Sequence, residues 1–159
     1  MDAFEQTFND FLVNVFNSIL KSEESLVRRS GAADISISEL HLLDAVSRCR
    51  PPRNTVSDLA AALDITNPSV TVAVNKLVKK GCLAKERSGR DGRAVQITLT
   101  PEGAEINALH QEFHRRMVHS AAAHLSQEEK SALLSGIRQL SVYFDAAHFQ
   151  SLLQDSREI

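Results

Sequence analysis

The chain has 159 residues, of which 43% are apolar and 24% charged, and its formal net charge is −2. This length and composition allow a buried core, which excludes a disordered, fibrous or disulfide-stapled protein. The overall charge does not point to nucleic acid, but it conceals a split. Residues 66–100 hold seven basic side chains against two acidic ones, a net +5, whereas 11 basic and 18 acidic residues elsewhere give −7. A basic block inside an acidic chain indicates a localised site for a polyanion.

The two cysteines, Cys49 and Cys82, lie far apart without a paired spacing. This argues against a disulfide framework or a thiolate zinc site and favours a reducing compartment. The first residues are acidic where a signal peptide is basic, and no apolar run approaches the ~18 residues of a membrane span. We therefore expect a cytoplasmic protein that does not contact the membrane.

Amphipathic helices are predicted at both ends of the chain. Apolar residues recur at helical spacing from Phe4 to Leu20, a segment that holds four of the seven Phe residues. Near the other end, Ser126 and Glu129 have the spacing of a capping box, which predicts the start of a long final helix. The core stripe expected on that helix comprises Leu133, Ile137, Leu140 and Phe144. A terminal helix this apolar packs on the body of the domain or on a partner chain.

Two shorter helices are predicted between these ends. Ser36 and Glu39 offer a helix start, and two prolines just after Cys49 stop that helix. A second capping segment begins at Thr55 and predicts a helix that ends near Leu63, where a tight turn follows.

The helix after this turn is predicted to have one apolar and one polar face. Asn67 is a good cap, Pro68 suits the first helical position, and Gly81 ends the helix. The buried face is expected to hold Val70, Val74, Leu77 and Val78. The exposed face is expected to hold Ser69, Thr71, Val72, Asn75, Lys76, Lys79 and Lys80. Together with the preceding helix it has the lengths and the turn of a helix-turn-helix.

A β-hairpin and another helix are predicted next. Val95, Ile97 and Leu99 alternate with polar residues, which predicts a half-buried strand, and Cys82–Arg87 is its expected partner. The connection, residues 88–93, contains two glycines and two arginines and predicts a flexible, charged tip. The apolar side of the helix that begins at Thr100-Pro101 is expected to comprise Ile106, Leu109, Phe113 and Met117. This order predicts a mainly α fold with a small β-hairpin wing, a winged helix-turn-helix with dimerising extensions.

The exposed helix face and the hairpin tip together suit double-stranded DNA. Small polar side chains reach base edges in a major groove, lysines neutralise phosphates, and arginines on a narrow ribbon enter the adjacent minor groove. The expected major-groove contacts are Ser69, Thr71, Val72, Asn75 and Lys76. The expected phosphate contacts are Lys79, Lys80 and Arg90. The lysines of the helix, taken alone, are equally well explained as an ordinary solvent-exposed face. The net charge of +5 over the helix and the hairpin together favours nucleic-acid binding.

Three segments of the chain resemble the MarR family of bacterial transcription regulators. They are residues 57–63, residues 68–81, and the triplet Asp91-Gly92-Arg93 followed by residues 97–103. The most specific motif is the Asp-x-Arg wing leading into Leu-Thr-x-x-Gly. One departure is Gly92, which stands where many relatives carry a second basic residue.

The resemblance implies a homodimer that represses transcription from a pseudopalindromic operator. The recognition helix would lie at about 67–80, with Asn67 at its start, and Arg93 in the wing would be oriented by Asp91. The implied organisation is one domain, 1–159, with a winged helix at 36–100 and dimerisation helices at 1–30 and 101–159.

Within the family, residues 34–41 and 109–118 are similar to the repressors of bacterial fatty-acid synthesis genes, whose corepressor is long-chain acyl carrier protein. This branch implies an apolar effector cavity, for which the expected lining is Phe11, Val15, Leu40, Leu43 and Phe113. The same residues can equally fill the core, and the effector can also be a small molecule. The candidate contacts for an acidic carrier protein are Arg28, Arg29, Arg115 and Arg116.

Four residues are also placed like the metal ligands of the family's zinc-uptake repressors, namely Glu24, His41, His110 and His114. His110 and His114 are four apart on one helix, a spacing that lets two imidazoles share a zinc ion. His41 and either Glu23 or Glu24 would complete a tetrahedral site. However, histidine pairs beside an apolar stripe are common without metal, and the chain lacks the cysteine of the zinc branch. No cofactor is required, and zinc stays an open alternative.

Enzymatic chemistry finds little support in the sequence. It lacks a glycine-rich phosphate loop, a nucleophile elbow and a paired-carboxylate signature, and the six histidines have no obvious serine or cysteine partner. We expect a non-enzymatic regulator. The competing class is a winged-helix module that docks proteins instead of DNA, because a fold alone does not fix function.

Overall fold

A computed structural model describes residues 1–29, 34–49, 53–87 and 95–143. The helices and strands of this part are α1 (Ala3–Arg29), α2 (Ile37–Arg48), α3 (Val56–Leu63), α4 (Asn67–Lys79), β1 (Leu83–Arg87), β2 (Val95–Leu99), α5 (Pro101–Ala122) and α6 (Gln127–Tyr143). The mainly helical fold with a small two-stranded ribbon is confirmed. Among the described residues, every helix is too short or too polar to cross a lipid bilayer.

Three predicted helix starts have the expected capping boxes. At α2, the Ser36 amide donates to the Glu39 carboxylate at 2.8 Å, and the Glu39 amide donates to the Ser36 hydroxyl at 3.3 Å. Thr55 and Asp58 make the same reciprocal pair before α3, as do Ser126 and Glu129 before α6. Each box satisfies two amides that lack a partner within the helix, which fixes where the helix begins.

The start of α4 lies one residue earlier than predicted. Thr66, not Asn67, is the cap, because the Thr66 hydroxyl accepts the Ser69 amide hydrogen bond at 3.3 Å. Asn67 is therefore the first helical residue and Pro68 the second, where the missing proline amide costs nothing. The turn before α4 is closed by Asp64, which adopts a left-handed backbone conformation with φ of 52°.

β1 and β2 form an antiparallel ribbon that is anchored to the segment before α3. Leu83 pairs with Leu99 and Arg87 with Val95 at the two ends of the described register. At Ile97, the backbone amide donates to the carbonyl of Asn54 at 2.9 Å, and the Asn54 side-chain amide donates back to the Ile97 carbonyl at 2.9 Å. Ile97 is fully buried. The base of the ribbon thus belongs to the core.

The core lies between α2, α3, α4 and the base of the ribbon. Its fully buried apolar side chains include Leu40, Leu43, Leu59, Val70, Leu77 and Ile97. In α4 the buried residues are Val70, Val74 and Leu77, as predicted, whereas Val78 is only half-buried. This packing fixes which face of α4 points outward.

The Leu-Thr-x-x-Gly motif forms a close joint between the ribbon and α5. The Thr100 hydroxyl donates to the Gly81 carbonyl at 2.6 Å and accepts from the Gly103 amide at 3.1 Å. A Cβ atom at Gly103 would lie 2.0 Å from the Cys82 carbonyl oxygen. Only glycine therefore lets the first turn of α5 approach the backbone at this distance.

The chain divides into two compact units, Met1–Glu112 and Phe113–Ile159. In the first unit, the N-terminal half of α1 exposes aromatic side chains, with Phe4 75%, Phe11 58% and Phe16 63% accessible. The second unit contains α6, where two residues of the predicted core stripe are exposed in a single chain and Leu140 is half-buried. Leu133 is 52% exposed and Ile137 47% exposed, and Phe144 lies outside the described residues.

Candidate nucleic-acid interface and histidine cluster

The outward face of α4 carries the side chains that the sequence assigns to DNA. Because Val70, Val74 and Leu77 point into the core, the opposite side of the helix faces solvent. Its exposed residues are Asn67, Ser69, Thr71, Val72, Asn75, Lys76 and Lys79. Val72 is 55% exposed and adds an apolar contact surface to this face. The face is small, polar and basic, the composition that a DNA major groove accepts.

Three hydrogen bonds constrain the polar side chains of this face. Ser69 shares a hydrogen bond of 2.9 Å with the hydroxyl of Thr66. Thr71 donates its hydroxyl hydrogen to the Asn67 carbonyl at 2.9 Å. Asn75 accepts from the Lys85 ammonium of β1 at 2.5 Å. The helix surface is therefore partly ordered before any ligand arrives.

Lys80 differs from its neighbours on α4. Its spacing along the helix predicts an exposed phosphate contact, but its side chain is only 23% accessible. Its ammonium donates to the Glu39 carboxylate at 2.7 Å and to the Asp34 carbonyl. Lys80 thus ties the end of α4 to the start of α2, and its charge is largely matched by Glu39.

The Glu39 carboxylate has a lowered pKa. Burial acts to raise this pKa, but the hydrogen bonds from Lys80 and from the Ser36 amide and hydroxyl together outweigh it. Glu39 therefore stays ionised at neutral pH and serves both the cap of α2 and the ion pair with Lys80.

The described part of the ribbon brings further polar side chains beside α4. Lys85, Glu86 and Arg87 are exposed along β1. The predicted wing residues Arg90, Asp91 and Arg93 lie outside the described residues.

A groove of about 550 Å³ runs between the start of α2 and the first turns of α4. Its lining comprises Ser36, Ser38, Glu39, Pro68, Ser69, Val72, Ala73 and Lys76. Ser38 lies beside the basic face, although its sequence position indicates only a helix start. The spacing along one helix does not reveal such a neighbour, because the contact is made between two helices.

A second polar cluster joins α1, α2 and α5. The Glu23 carboxylate lies 3.0 Å from His110 Nε2 and 3.3 Å from His41 Nε2. The two imidazole rings are 5.7 Å apart between centroids. Glu23 is 1% and His110 3% exposed, while the His41 side chain is 45% accessible. One potential ligand atom from each residue lies within 4.8 Å of the others.

This cluster differs in part from the predicted metal site. The structure brings His41 and His110 together as expected, but the carboxylate is Glu23, whereas Glu24 is exposed. His114 belongs to the second unit, where its ring lies 5.2 Å from that of Phe113 in an edge-to-face contact. One carboxylate and two imidazoles form a ligand set that zinc accepts, and the open side of His41 gives access to solvent. Without metal, the same groups hold three helices together by hydrogen bonds.

The buried face of α5 in the first unit is not the apolar stripe predicted. Its buried residues are Gly103, Asn107 and His110, while Ile106 is half-buried and Leu109 is 41% exposed. The reason is that α5 packs a glycine against the ribbon and a histidine against Glu23. The spacing of apolar residues cannot predict a buried face that is formed by a close backbone approach and a polar cluster.

The residues expected to line an effector cavity lie in different surroundings. Leu40 and Leu43 are fully buried in the core. Phe11 is 58% and Val15 38% exposed on α1, and Phe113 is half-buried in the second unit.

Comparison with known proteins reveals similarity to transcriptional regulators. A family model described as MarR family matches residues 33–94. The transcriptional regulator AdcR of Streptococcus pyogenes serotype M6 is 30% identical over 113 residues, which cover 68% of this chain and 75% of AdcR. The crystal structure of Streptococcus pneumoniae FabT in complex with DNA has a TM-score of 0.80 and 34% identity, covering 88% of this chain and 96% of that chain.

A third relative matches over a shorter region. The putative transcriptional regulatory protein for the hcr operon of Thauera aromatica is 29% identical over 89 residues, 56% of this chain and 54% of the relative. The chain thus spans about half the length of this relative. The family match and the longer likenesses to AdcR and FabT show that the chain belongs to the MarR family of transcriptional regulators, which are not enzymes.

Proposed function

We propose that the protein is a transcriptional repressor that binds a pseudopalindromic operator as a homodimer. The observation that carries this proposal is the outward face of α4, whose small polar and basic side chains are exposed because the apolar side is locked into the core. A helix of this kind enters the major groove, and two copies related by a dyad would reach grooves about 34 Å apart. The likeness to FabT, which was crystallised with DNA, supports DNA binding by this chain.

Each predicted contact has a role that follows from its chemistry. Thr71, Val72 and Asn75 offer a hydroxyl, an apolar surface and an amide to base edges. The remaining expected contacts on the exposed face of α4 are Asn67, Ser69, Lys76 and Lys79, with the lysines attracted to phosphates. In the wing, Arg93 is proposed to reach the flanking minor groove with Asp91 orienting it, and Arg90 is proposed to contact phosphates.

The test is binding of the full chain to DNA as a function of salt. The protein is used to select sites from a random duplex library, and affinity for the selected site is measured between about 50 and 200 mM salt. A palindromic site and a steep linear decrease of log affinity with log salt support the proposal. Indifference to DNA would instead favour the protein-docking module. Lys79→Met should weaken binding uniformly and reduce the salt slope by about 1.

A zinc-responsive repressor is the second candidate function, and the cluster of Glu23, His41 and His110 favours it. These residues come from α1, α2 and α5, so a zinc ion bound there would link the N-terminal helix to both the DNA-binding core and α5. The likeness to AdcR is compatible with this reading, although the structure places His114 in a separate unit. Equilibrium dialysis of the wild type and of His110→Gln against zinc measures binding directly.

The first candidate for the effector is a long-chain acyl carrier protein, on the resemblance of residues 34–41 and 109–118 to fatty-acid-synthesis repressors. Operator affinity is measured in EDTA, with added zinc, and with the acylated carrier protein. Tightening by the carrier alone supports the fatty-acid branch, and tightening by zinc alone supports the zinc branch. No response to either would point to a small-molecule effector.

A further inference from the structure

Lys85 of β1 fixes the orientation of the Asn75 amide on α4. The ammonium lies 2.5 Å from the Asn75 oxygen Oδ1. A lysine ammonium only donates hydrogen bonds, so the amide must present its oxygen to Lys85 and its NH₂ group elsewhere. Asn75 is exposed on the face proposed to meet DNA. Its free hydrogen-bonding group is therefore chiefly a donor.

The register of the ribbon explains why Lys85 can reach this position. Lys85 pairs with Ile97 across the ribbon and lies two residues after Leu83, so all three are on one side of the ribbon. Ile97 and Leu83 are buried in the core, whereas Lys85 is exposed. The packed side of the ribbon thus ends at a lysine that lies beside α4.

We propose that Asn75 and Lys85 act as one donor-only unit that selects guanine over adenine in the operator. This inference rests on the proposed function, since it assumes that α4 enters a major groove. Guanine presents two acceptors there, N7 and O6, whereas adenine presents the acceptor N7 beside the donor N6. An asparagine with a free oxygen reads adenine through both groups. Asn75 has its oxygen turned to an ammonium, so its NH₂ group and the Lys85 charge match guanine and oppose the N6 donor of adenine.

The experiment measures base preference with the full-length wild-type protein. An operator is first selected from a random duplex library, and fluorescence anisotropy then gives affinities for versions with each base pair replaced in turn. One symmetry-related position in each half-site should favour guanine over adenine by about tenfold. Asn75→Ala should abolish the preference at that position, which identifies the base pair that Asn75 contacts.

Lys85→Met separates the proposed role from a general electrostatic one. It keeps the aliphatic stem and removes the donor, so the guanine preference at this position should fall to about twofold or less. Preferences at the other positions should stay unchanged. Lys85→Arg, which still donates to the amide oxygen, should retain the preference. Lys79→Met is the charge-matched control and should weaken every operator version by the same factor.

Three results would overturn the inference. The first is a uniform loss of affinity in Lys85→Met like that of Lys79→Met, which would make Lys85 a phosphate contact or a simple tie between ribbon and helix. The second is a preference for adenine at the position identified by Asn75→Ala, or no position that responds to this variant. The third is failure to select any palindromic site, which would remove the proposed function as well. In the first two results the protein still selects a palindromic operator, whereas in the third it does not. Failure of this inference can therefore be distinguished from failure of the proposed function.

Discussion

Among the described glycines, Gly103 has the least room for a side chain. We expect Gly103→Ala to lower the free energy of unfolding by about 3 kcal/mol, because its Cβ would lie 2.0 Å from the Cys82 carbonyl oxygen. The backbone atom it meets cannot rotate away, so the first turn of α5 must shift from the ribbon. Urea unfolding at a fixed protein concentration measures the change.

Gly136→Ala is the matched control for this prediction. A Cβ at Gly136 in α6 meets nothing within 4 Å, so the same substitution should stabilise the helix by roughly 0.5–1 kcal/mol. Opposite signs for the two variants are expected. A neutral Gly103→Ala would show that the contact between α5 and Cys82 is not close.

The ion pair between Lys80 and Glu39 gives a second prediction at this scale. Lys80→Met keeps the stem but removes the charged hydrogen bond, and it should cost ~1.5–3 kcal/mol of unfolding free energy at neutral pH. The pKa of Glu39 is lowered in the folded state, so its stabilising effect is complete above the ordinary glutamate pKa and is lost as pH falls through the folded value. The difference between wild type and variant should therefore shrink in acid.

Urea unfolding at neutral and acidic pH, at one protein concentration, measures this difference. Lys79→Met provides the comparison, because Lys79 is exposed on the adjacent position of the same helix. It should change stability little at either pH. A pH-independent cost for Lys80→Met would mean that Glu39 contributes through packing instead of charge.

The residues of the histidine cluster could be predicted from the sequence only in part. His110 was identifiable from its spacing of four residues to His114, and His41 from the resemblance to the zinc-uptake repressors. The sequence does not distinguish Glu23 from Glu24 as the partner of these histidines. Adjacent helical residues differ by about 100° in direction, and only the packing of α1 on α2 and α5 shows that Glu23 points inward. Tertiary contacts decide such cases.

At the scale of elements, the start of α4 offers a direct contrast between local pattern and structure. The pattern favours Asn67 as the cap, whereas the structure assigns this role to Thr66. We therefore expect Thr66→Ala to cost about 1 kcal/mol of unfolding free energy, while Asn67→Ala costs only a few tenths. Both residues are exposed, so burial does not confound the comparison. Thermal unfolding of the two variants decides, and the reverse order of costs would restore Asn67 as the cap.

Most element boundaries could be predicted because their signals are local. Ser36, Thr55 and Ser126 begin helices through side chains that bond three residues ahead, and the alternation around Ile97 is visible in five residues. The buried face of α5 could not be predicted, because His110 is buried against the Glu23 carboxylate and Gly103 approaches the Cys82 backbone closely. The Asn75–Lys85 bond likewise depends on how the ribbon packs beside α4.

For the whole molecule, the charge split acquires a structural meaning. The basic block of residues 66–100 contains α4 and the ribbon, which expose Lys76, Lys79 and Lys85. Lys80 is the exception, because Glu39 matches its charge. The acidic remainder limits indiscriminate attraction to DNA, so a selective reader of sequence fits this distribution better than a general coat on nucleic acid.

The exposed aromatic side chains of α1 lead to the last prediction, which concerns assembly. Phe4, Phe11 and Phe16 are each more than half exposed in a single chain, a cost that a partner chain would remove. We expect Phe16→Glu to convert a dimer to a monomer in size-exclusion chromatography with light scattering. Operator affinity should fall with it, because one recognition helix reads only half of a palindrome. Asn17→Glu adds the same charge to the neighbouring exposed position, away from the apolar face, and should leave the dimer intact. A dimer that survives Phe16→Glu would require a different interface, whereas dissociation with folded circular dichroism would establish α1 as part of it.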